Sequence, residues 1–492
     1  MIVLRHSHPA AWKIPRAVCV SALFVGAVNM PAAGAEWTIT PQVAVEQSVT
    51  DNARSTSTDE KADLISTASA GISVDGIGRH LQLSFDYSIS QDKFWDNSDL
   101  DGFRQSMLGA GRMSVYEDYV FLDTRASLSQ QSLQRNGGEA ATDRTIGTND
   151  QTTILNYSIT PNYAYRYGNW AESDVRISYN QIQFLESDVG SAAVQPEDSR
   201  TISFETLVRS GPNFSRNAWQ LIGNTNFTDD NSDRDLLEFS NEYAWTRHFS
   251  LLGRVGREVI ENAGINADDS ATIFWRGGAR LTPGPRSSIR VEYGRRFDEP
   301  VFSGDAIYRF SSRTTVLATY EVTVQTDRER LTQNLNNLVL NNENVLVDPI
   351  TGLPGSPNSS EFDFEEQATK EERFTIALNG ARGRNTFGLN SSVATRTELA
   401  ADTEETIVTF GGNINRRIWP DLTGGIVTSY SATTESDIGV EDMTVNGGMF
   451  LRYSIFEDVT GTLQYNFLYR DSDVDTNDLR ENVISVGLSK TF

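Results

Sequence analysis

The last thirteen residues of the chain, Arg480 to Phe492, constrain its fold more than any other stretch. One face formed by alternate residues is apolar apart from a single lysine, and it consists of Ile484, Val486, Leu488, Lys490 and Phe492. The residues between them are small or polar. This alternation predicts a β-strand with one apolar face and one polar face.

A final strand that ends in an aromatic residue on its apolar face resembles the C-terminal recognition strand of Gram-negative outer-membrane β-barrels. Ser485, Gly487 and Phe492 carry this resemblance, whereas Lys490 stands where an apolar residue is usual. It implies a transmembrane antiparallel β-barrel in the outer membrane, surrounded by lipopolysaccharide. Gly487 and Phe492 would then be the signal read by the barrel-assembly machinery. A secreted soluble β-solenoid or sandwich is the alternative.

The first 35 residues have the three parts of a secretory signal peptide. Basic residues come first, an apolar run follows from Ala17 to Met30, and small residues lead to a cleavage site after Ala35. The apolar run is shorter than the roughly 20 residues that a membrane-spanning helix needs. Cys19, the only cysteine, lies in this segment, so the mature chain is expected to have no disulfide. Residues 36–492 are expected to form the barrel.

The charge balance excludes one class of partner. The chain has 66 acidic and 42 basic residues, and nucleic-acid binding requires a basic surface. The mean hydropathy is negative. A barrel is compatible with this value because only alternate strand residues face lipid.

Alternating segments of about ten residues recur from Trp37 onward, and they predict about 22 strands, within a range of 20 to 24. The connectors between them fall into two classes. Short turns such as Pro283-Gly-Pro285 alternate with longer, acidic connectors such as Glu186 to Asp198. This segregation favours a barrel with turns at one end and loops at the other.

The longest connector, residues 326–367, has an internal pattern of its own. Leucines at positions 331, 335 and 338 have helical spacing, and several Pro and Gly residues follow them. We expect a short helix folded over or into the pore, since its leucines would otherwise face water. Five asparagines are expected to face the water path, namely Asn334, Asn336, Asn337, Asn341 and Asn342.

Little in the sequence indicates catalysis, a metal or a cofactor. His80 and His248 lie at short turns, and neither G-x-S-x-G nor H-E-x-x-H occurs. The acidic run from Asp471 to Asp478 has the start of a calcium loop but lacks its glycine and its final glutamate. We therefore predict that the protein is not an enzyme, with a carboxylate-only site as the open alternative. No plug domain is expected before the first strand.

The faces opposite the apolar ones predict the lining of the pore. Charged residues of both signs are interspersed there with Asn, Ser, Thr and Gln. They either contact a permeating solute or only pair with each other to stiffen the wall. The predicted pore-lining residues are Asp123, Arg125, Arg166, Arg176, Glu205, Arg209, Glu238, Glu242, Arg254, Glu258, Arg276, Arg280, Arg290, Glu292, Arg296, Asp305, Arg309 and Glu321.

The start of the predicted barrel shows a second resemblance. The segments Trp37 to Pro41, Thr50 to Asn52 and Leu64 to Gly76 resemble the opening of outer-membrane barrels associated with the PEP-CTERM/exosortase system. This resemblance implies a channel that takes part in exopolysaccharide export, with polysaccharide and periplasmic export proteins as partners. The alternative is a general-diffusion barrel, or a structural one that anchors a surface matrix.

Overall fold

A computed structural model describes residues 35–132, 141–142, 151–185, 196–229, 233–261, 271–297, 299–341, 346–349, 357, 361–399, 403–437 and 441–492. Most of the predicted signal peptide, residues 1–34, lies outside this part of the chain. Within it, 22 long antiparallel strands form one sheet, and a short strand pair lies in the longest connector.

Long strands that are consecutive in the chain are also adjacent in the sheet. They are β1 (Glu36–Thr50), β2 (Asp63–Ile77), β3 (Leu81–Phe94), β4 (Gly102–Tyr116), β5 (Val120–Ser132), β6 (Gln151–Tyr167), β7 (Ala171–Leu185), β8 (Ser199–Ser210), β9 (Asn217–Thr228), β10 (Arg234–Ala244), β11 (Phe249–Ile260), β12 (Ala271–Gly284), β13 (Ser287–Arg296), β14 (Glu299–Ser311), β15 (Thr314–Gln325), the short β16 (Val339–Leu340) and β17 (Leu346–Val347), then β18 (Thr369–Arg382), β19 (Asn385–Glu398), β20 (Thr403–Trp419), β21 (Leu422–Ser436), β22 (Asp442–Ser454), β23 (Val459–Ser472) and β24 (Leu479–Thr491).

The sheet closes on itself through its first and last long strands. β1 pairs with β24 from Gln42 opposite Thr491 to Thr50 opposite Val483, in addition to its pairing with β2. A closed sheet leaves no unpaired edge along this junction. The predicted antiparallel barrel of about 22 strands is therefore confirmed.

Side chains alternate between the two faces of the barrel wall along each strand, as β11 illustrates. Leu251 and Val255 are exposed on the outside, whereas Arg254 and Glu258 point inward. Apolar residues outside and polar residues inside are the arrangement that a strand needs between lipid and water. Among the described residues, no helix is both long and apolar enough to cross a membrane.

The longest connector lies partly inside the barrel. Its helix α1 (Asp327–Asn337) starts with a capping box, in which the Thr326 hydroxyl accepts a hydrogen bond from the Glu329 backbone N–H and the Glu329 carboxylate accepts one from the Thr326 backbone N–H. The short strands β16 and β17 follow it and pair with each other. The predicted helix in this connector is confirmed, and at its base β15 and β18 pair from Thr314 opposite Gly380 to Gln325 opposite Thr369.

One seam of the barrel is only half paired. The register of β14 with β15 ends at Gly304 opposite Tyr320, although β14 stays paired with β13 to Glu299 and β15 stays paired with β18 to Gln325. The two strands therefore separate over their halves nearest the long connectors. The register of β4 with β5 also ends early, at Met107 opposite Leu128.

Candidate functional site

The lumen of the barrel is the candidate site, and one side of it carries most of the charge. We call the inward-facing charged residues of β4 to β14 the charged wall. Most of the predicted pore-lining residues lie there in ion pairs: Asp123 with Arg112, Arg166 and Arg209 with Glu172, Arg176 with Asp174 and Glu205, Glu238 and Glu292 with Arg254, Glu242 with Arg280, Glu258 with Arg296, and Asp305 with Arg290. These pairs neutralise the wall and hold neighbouring strands together.

The remaining predicted residues share the inward face by strand register. Arg125 lies opposite Ala110, Arg276 opposite Arg254, Arg309 opposite Thr315, and Glu321 opposite Arg373. Sequence reasoning missed several of the partners, among them Glu172 and Asp174. Both lie two or four residues from Arg176 on the same strand, so the alternation could have identified them.

The most buried part of the charged wall surrounds Glu258, which is 1% exposed. Arg296 donates to both of its carboxylate oxygens, Nε to Oε2 at 2.8 Å and Nη2 to Oε1 at 2.9 Å. The Nε of Arg234 lies 3.7 Å from Oε1. A forked arginine contact of this kind fixes both side chains.

Glu258→Gln is expected to destabilise the barrel by about 3 to 5 kcal/mol, because it leaves buried arginines without a counter-charge. Urea unfolding of the protein in lipid vesicles measures the change. Glu321→Gln is the matched control, since Glu321 is exposed to the lumen. It should shift stability by no more than about 0.5 kcal/mol. Equal effects of the two substitutions would contradict a special role for the Glu258 cluster.

The opposite side of the lumen is uncharged over its middle, and no pattern of charges in the sequence indicates it. We call it the amide wall. It consists of Gly388, Asn390, Gly411, Asn413, Asn415, Gly425, Ser429, Asn446, Gly448, Gln464 and Asn466, on β19 to β23. Charges return towards its ends, as at Arg452 and Arg470.

Asparagine and glycine face each other across neighbouring strands of the amide wall. Asn390 is paired with Gly411, and Asn466 is paired with Gly448. A Cβ atom on Gly411 would lie 2.4 Å from Oδ1 of Asn390, and one on Gly448 would lie 2.6 Å from Oδ1 of Asn466. Each amide therefore lies flat over a glycine, and the wall stays smooth.

A recess of about 450 Å3 lies on the amide wall. Ser429, Asn446, Phe450, Gln464 and Asn466 line it, and its lining contains no Asp, Glu, Lys or Arg. Asn466 is 7% exposed, and its Oδ1 accepts a 2.9 Å hydrogen bond from Nε2 of Gln464. Its Nδ2 has no hydrogen-bond partner within the described part of the chain. The recess is thus lined by amide and hydroxyl groups without a net charge, which suit a neutral, polar ligand.

Two residues between β5 and β6 also border this recess. Ala141 and Thr142 belong to the lining, although they come from a different side of the barrel. The backbone N–H of Ala141 donates a 2.9 Å hydrogen bond to Oε2 of the buried Glu481 on β24. This contact fixes Ala141 beside β24.

Helix α1 narrows the lumen from the other side. Leu331 is 2% exposed and packs against Ile154 of β6 and Ile182 of β7. Its carbonyl accepts a 2.8 Å hydrogen bond from Nδ2 of Asn156. The leucines therefore pack against the wall, as expected. The expectation for Asn336 was wrong, because its Nδ2 contacts Oδ1 of Asn180 on the wall at 3.3 Å, whereas Asn342 lies outside the described residues.

Charged contacts hold the start of α1 in place. Oδ1 of Asp327 lies 2.9 Å from Arg330, and its Oδ2 lies 3.3 Å from Arg396 of β19. The backbone N–H of Glu365, near the end of the connector, also donates to Asp327. Burial, together with the nearby Glu398, raises the pKa of Glu365. The base of the connector is therefore a compact, buried charge cluster.

The predicted assembly signal lies at the junction of β1 and β24. Phe492 is 67% exposed, and its backbone N–H donates a 2.9 Å hydrogen bond to the carbonyl of Pro41. Gly487 lies opposite Glu46 and Thr462, and a Cβ atom there would meet only ordinary contacts at 3.6 Å or more. Packing within the closed barrel therefore explains neither residue.

His248 and Asp478, two residues considered for catalysis or calcium binding, each form a hydrogen bond with the backbone. Nδ1 of His248 lies 2.8 Å from the carbonyl of Thr282 on the neighbouring strand β12. Oδ1 of Asp478 accepts from the backbone N–H of Ser472 and so shapes the acidic connector before β24. Within the described ranges, no group of three or more His, Cys, Asp and Glu residues could hold a metal ion.

A closed antiparallel barrel with an apolar outer belt and a polar lumen defines the class: the protein is an outer-membrane β-barrel of the Gram-negative type. The FrpB iron transporter from Neisseria meningitidis is similar in fold, with 12% identity, 92% of this chain and 82% of that chain covered, and a TM-score of 0.50. The siderophore receptor PirA from Acinetobacter baumannii has 10% identity, coverage of 92% and 80%, and a TM-score of 0.49. A loop-deletion mutant of OmpT, an outer membrane protein of Vibrio cholerae, has 9% identity, coverage of 93% and 100%, and a TM-score of 0.31. No protein-family model and no curated protein matches the sequence.

Proposed function

We propose that this outer-membrane barrel is a channel for an uncharged, polyhydroxylated chain, and that it takes part in exopolysaccharide export. The observation that carries the proposal is the amide wall with its recess at Asn466. Amides and hydroxyls donate and accept hydrogen bonds without a net charge, which suits the hydroxyl groups of a sugar. The likeness to an iron transporter supports the fold alone, because one fold hosts many functions.

The rest of the lumen is compatible with such a solute. The charged wall is mostly neutralised in ion pairs, so it exerts only a weak field on a neutral chain passing it. Phe450 adds an apolar ring beside the amides of Asn446 and Asn466. Apolar surface with a few placed polar groups is the usual composition of a binding site for a small ring.

The resemblance of the first strands to barrels of the PEP-CTERM/exosortase system supports the same setting. It suggests a polymer made on the inner side of the outer membrane and periplasmic proteins that deliver it. The alternative is a general-diffusion or structural barrel. It would have the same polar lumen but would not bind the solute.

A planar-bilayer experiment separates these two functions. A neutral gluco-oligosaccharide is expected to interrupt the ion current of the wild-type channel. Replacing Asn466 and Asn446 by leucine should lower its association by about tenfold, equal to the loss of one to two hydrogen bonds. Gln220→Leu is the matched control, because Gln220 is an amide on the charged wall. Uninterrupted current at all sugar concentrations would favour general diffusion.

A deletion strain tests the export role itself. Loss of the gene is expected to stop secretion of the polymer, and wild-type protein should restore it. The Asn446→Leu/Asn466→Leu protein should restore it only in part, whereas Gln220→Leu should restore it fully. Normal secretion by the deletion strain would exclude export and leave a structural or general-diffusion barrel.

A further inference from the structure

The half-paired seam between β14 and β15 contains a proline. Proline at position 300 has no N–H, and prolines in sheets occur at edges. The N–H of Arg309 donates to Arg286, on the β13 side, so odd-numbered residues of β14 face β13 and even-numbered ones face β15. The backbone nitrogen of Pro300 therefore faces β15. Because it carries no hydrogen, it cannot donate the hydrogen bond that continued pairing with Val324 would need.

The separated end of β15 lies inside the barrel. Val324 is 4% exposed and packs against Ile260 of β11, although β12, β13 and β14 lie between these strands in the sheet. The Val324 carbonyl accepts a hydrogen bond from Arg234 of β10. Such contacts place the end of β15 inside the lumen, together with the end of β18 that is paired with it.

This bend determines where helix α1 can reach. The helix begins two residues after β15 ends, and its side chains contact β6 and β7 on another part of the wall. Arg234 also lies 3.8 Å from Glu329 in the first turn of the helix. The inward position of β15 therefore delivers the helix to the wall against which it packs.

A charged group bridges the seam near its open end. Lys370 of β18 forms an ion pair with Glu299 of β14 at 2.5 Å and with Glu372 at 3.0 Å. The hydroxyl of Tyr320 donates to Glu372 at 2.8 Å. Lys370 thus connects β14 to β18 past the end of β15.

We propose that the β14–β15 seam is the gate of the channel. In the closed state seen here the seam is separated, β15 bends inward and α1 narrows the lumen. In the open state β14 and β15 pair over Glu299 to Ser303, which draws β15 back to the wall and withdraws α1 from β6 and β7. The inference concerns regulation of the proposed channel and rests on there being a conducting path, but not on the identity of the solute.

Different contacts stabilise the closed state and the open state. The closed state has the apolar contact of Val324 with Ile260 and the hydrogen bond from Arg234. The open state gains backbone hydrogen bonds along the seam but lacks one at Pro300. Pro300 therefore biases the equilibrium towards the closed state.

Pro300→Ala tests this bias by restoring the missing N–H. One additional backbone hydrogen bond corresponds to about a fivefold rise in the occupancy of the high-conductance level. Recordings in potassium chloride across planar bilayers measure it, without any sugar. Pro41→Ala is the matched control, because Pro41 lies in β1 away from the seam, and it should leave the occupancy unchanged. Equal occupancy in wild type and Pro300→Ala would count against the gate.

A cysteine pair provides a second test that does not depend on proline. Continuing the register from Gly304 and Tyr320 places Val301 opposite Thr323 in a pair that is not hydrogen-bonded, where two Cβ atoms are close enough for a disulfide. Oxidation of Val301→Cys/Thr323→Cys should lock the high-conductance level, and reduction should release it. A disulfide that forms without changing the conductance would overturn the proposal. So would a pair that resists oxidation while Pro300→Ala also has no effect. Neither result depends on sugar binding, so failure of the gate and failure of the export function can be told apart.

Discussion

Replacing residues 328–365 by a short Gly/Ser linker is expected to raise the single-channel conductance severalfold while the barrel still folds. The replaced segment contains most of helix α1 and the strands β16 and β17, which occupy the lumen. The pairing of β15 with β18 does not depend on them. Loop closure contributes little to the cost, because each doubling of loop length changes it by only about 0.6 kcal/mol. Planar-bilayer recordings measure the conductance, and heat-modifiable gel migration reports folding.

The control variant has a different connector, at the rim of the barrel, replaced by a Gly/Ser linker. Residues 55–61 lie between β1 and β2 and make mostly exposed contacts, such as the ion pair of Lys61 with Asp59. Their replacement by a Gly/Ser linker should leave the conductance unchanged. An unchanged conductance in the folded 328–365 variant would show that the connector does not limit the flow of ions.

Deletion of Phe492 is expected to reduce the amount of folded barrel in cells to a small fraction of the wild-type level. In the finished barrel its side chain is exposed, and it contacts Lys490, whose Nζ lies 5.0 Å from the ring centroid. A residue that contributes so little packing should have a small effect on the stability of the folded state. The large expected effect therefore comes from recognition of the last strand during assembly. Cell fractionation and immunoblotting measure the folded amount.

Refolding in vitro separates the two roles of Phe492. Protein lacking Phe492 should refold from urea into lipid vesicles with a stability close to that of wild type. Leu488→Ala serves as the comparison, since it removes an exposed apolar residue from the same face but leaves the last residue in place. If the deletion variant accumulates normally in cells, Phe492 is not an assembly signal.

Periodicity made most of the fold predictable. Strand alternation with a period of two, the order of short and long connectors and the final strand all depend on local sequence, and they predict a barrel of about the observed size. The same alternation placed Arg254, Glu258 and Arg296 on the inner face. The helical spacing of the leucines predicted α1 for a similar reason.

Contacts between distant strands made the rest unpredictable. The partner of Glu258 is Arg296, two strands away, and no local pattern specifies it. The amide wall was missed because uncharged polar residues give a weaker signal than charged ones, even on the correct face. The β14–β15 register ends where Val324 contacts β10 and β11, and only the folded barrel brings these groups together.

The position of α1 also determines the order in which the molecule must assemble. The carbonyl of Leu331 accepts its hydrogen bond from Asn156, 175 residues earlier in the chain. The helix can dock only after β6 and β7 stand in the wall, and contacts of such long sequence separation form slowly. Docking of the helix is therefore the late step of folding. A newly closed barrel passes through a stage with an unobstructed lumen, and the cell must complete that step before the outer membrane regains its barrier.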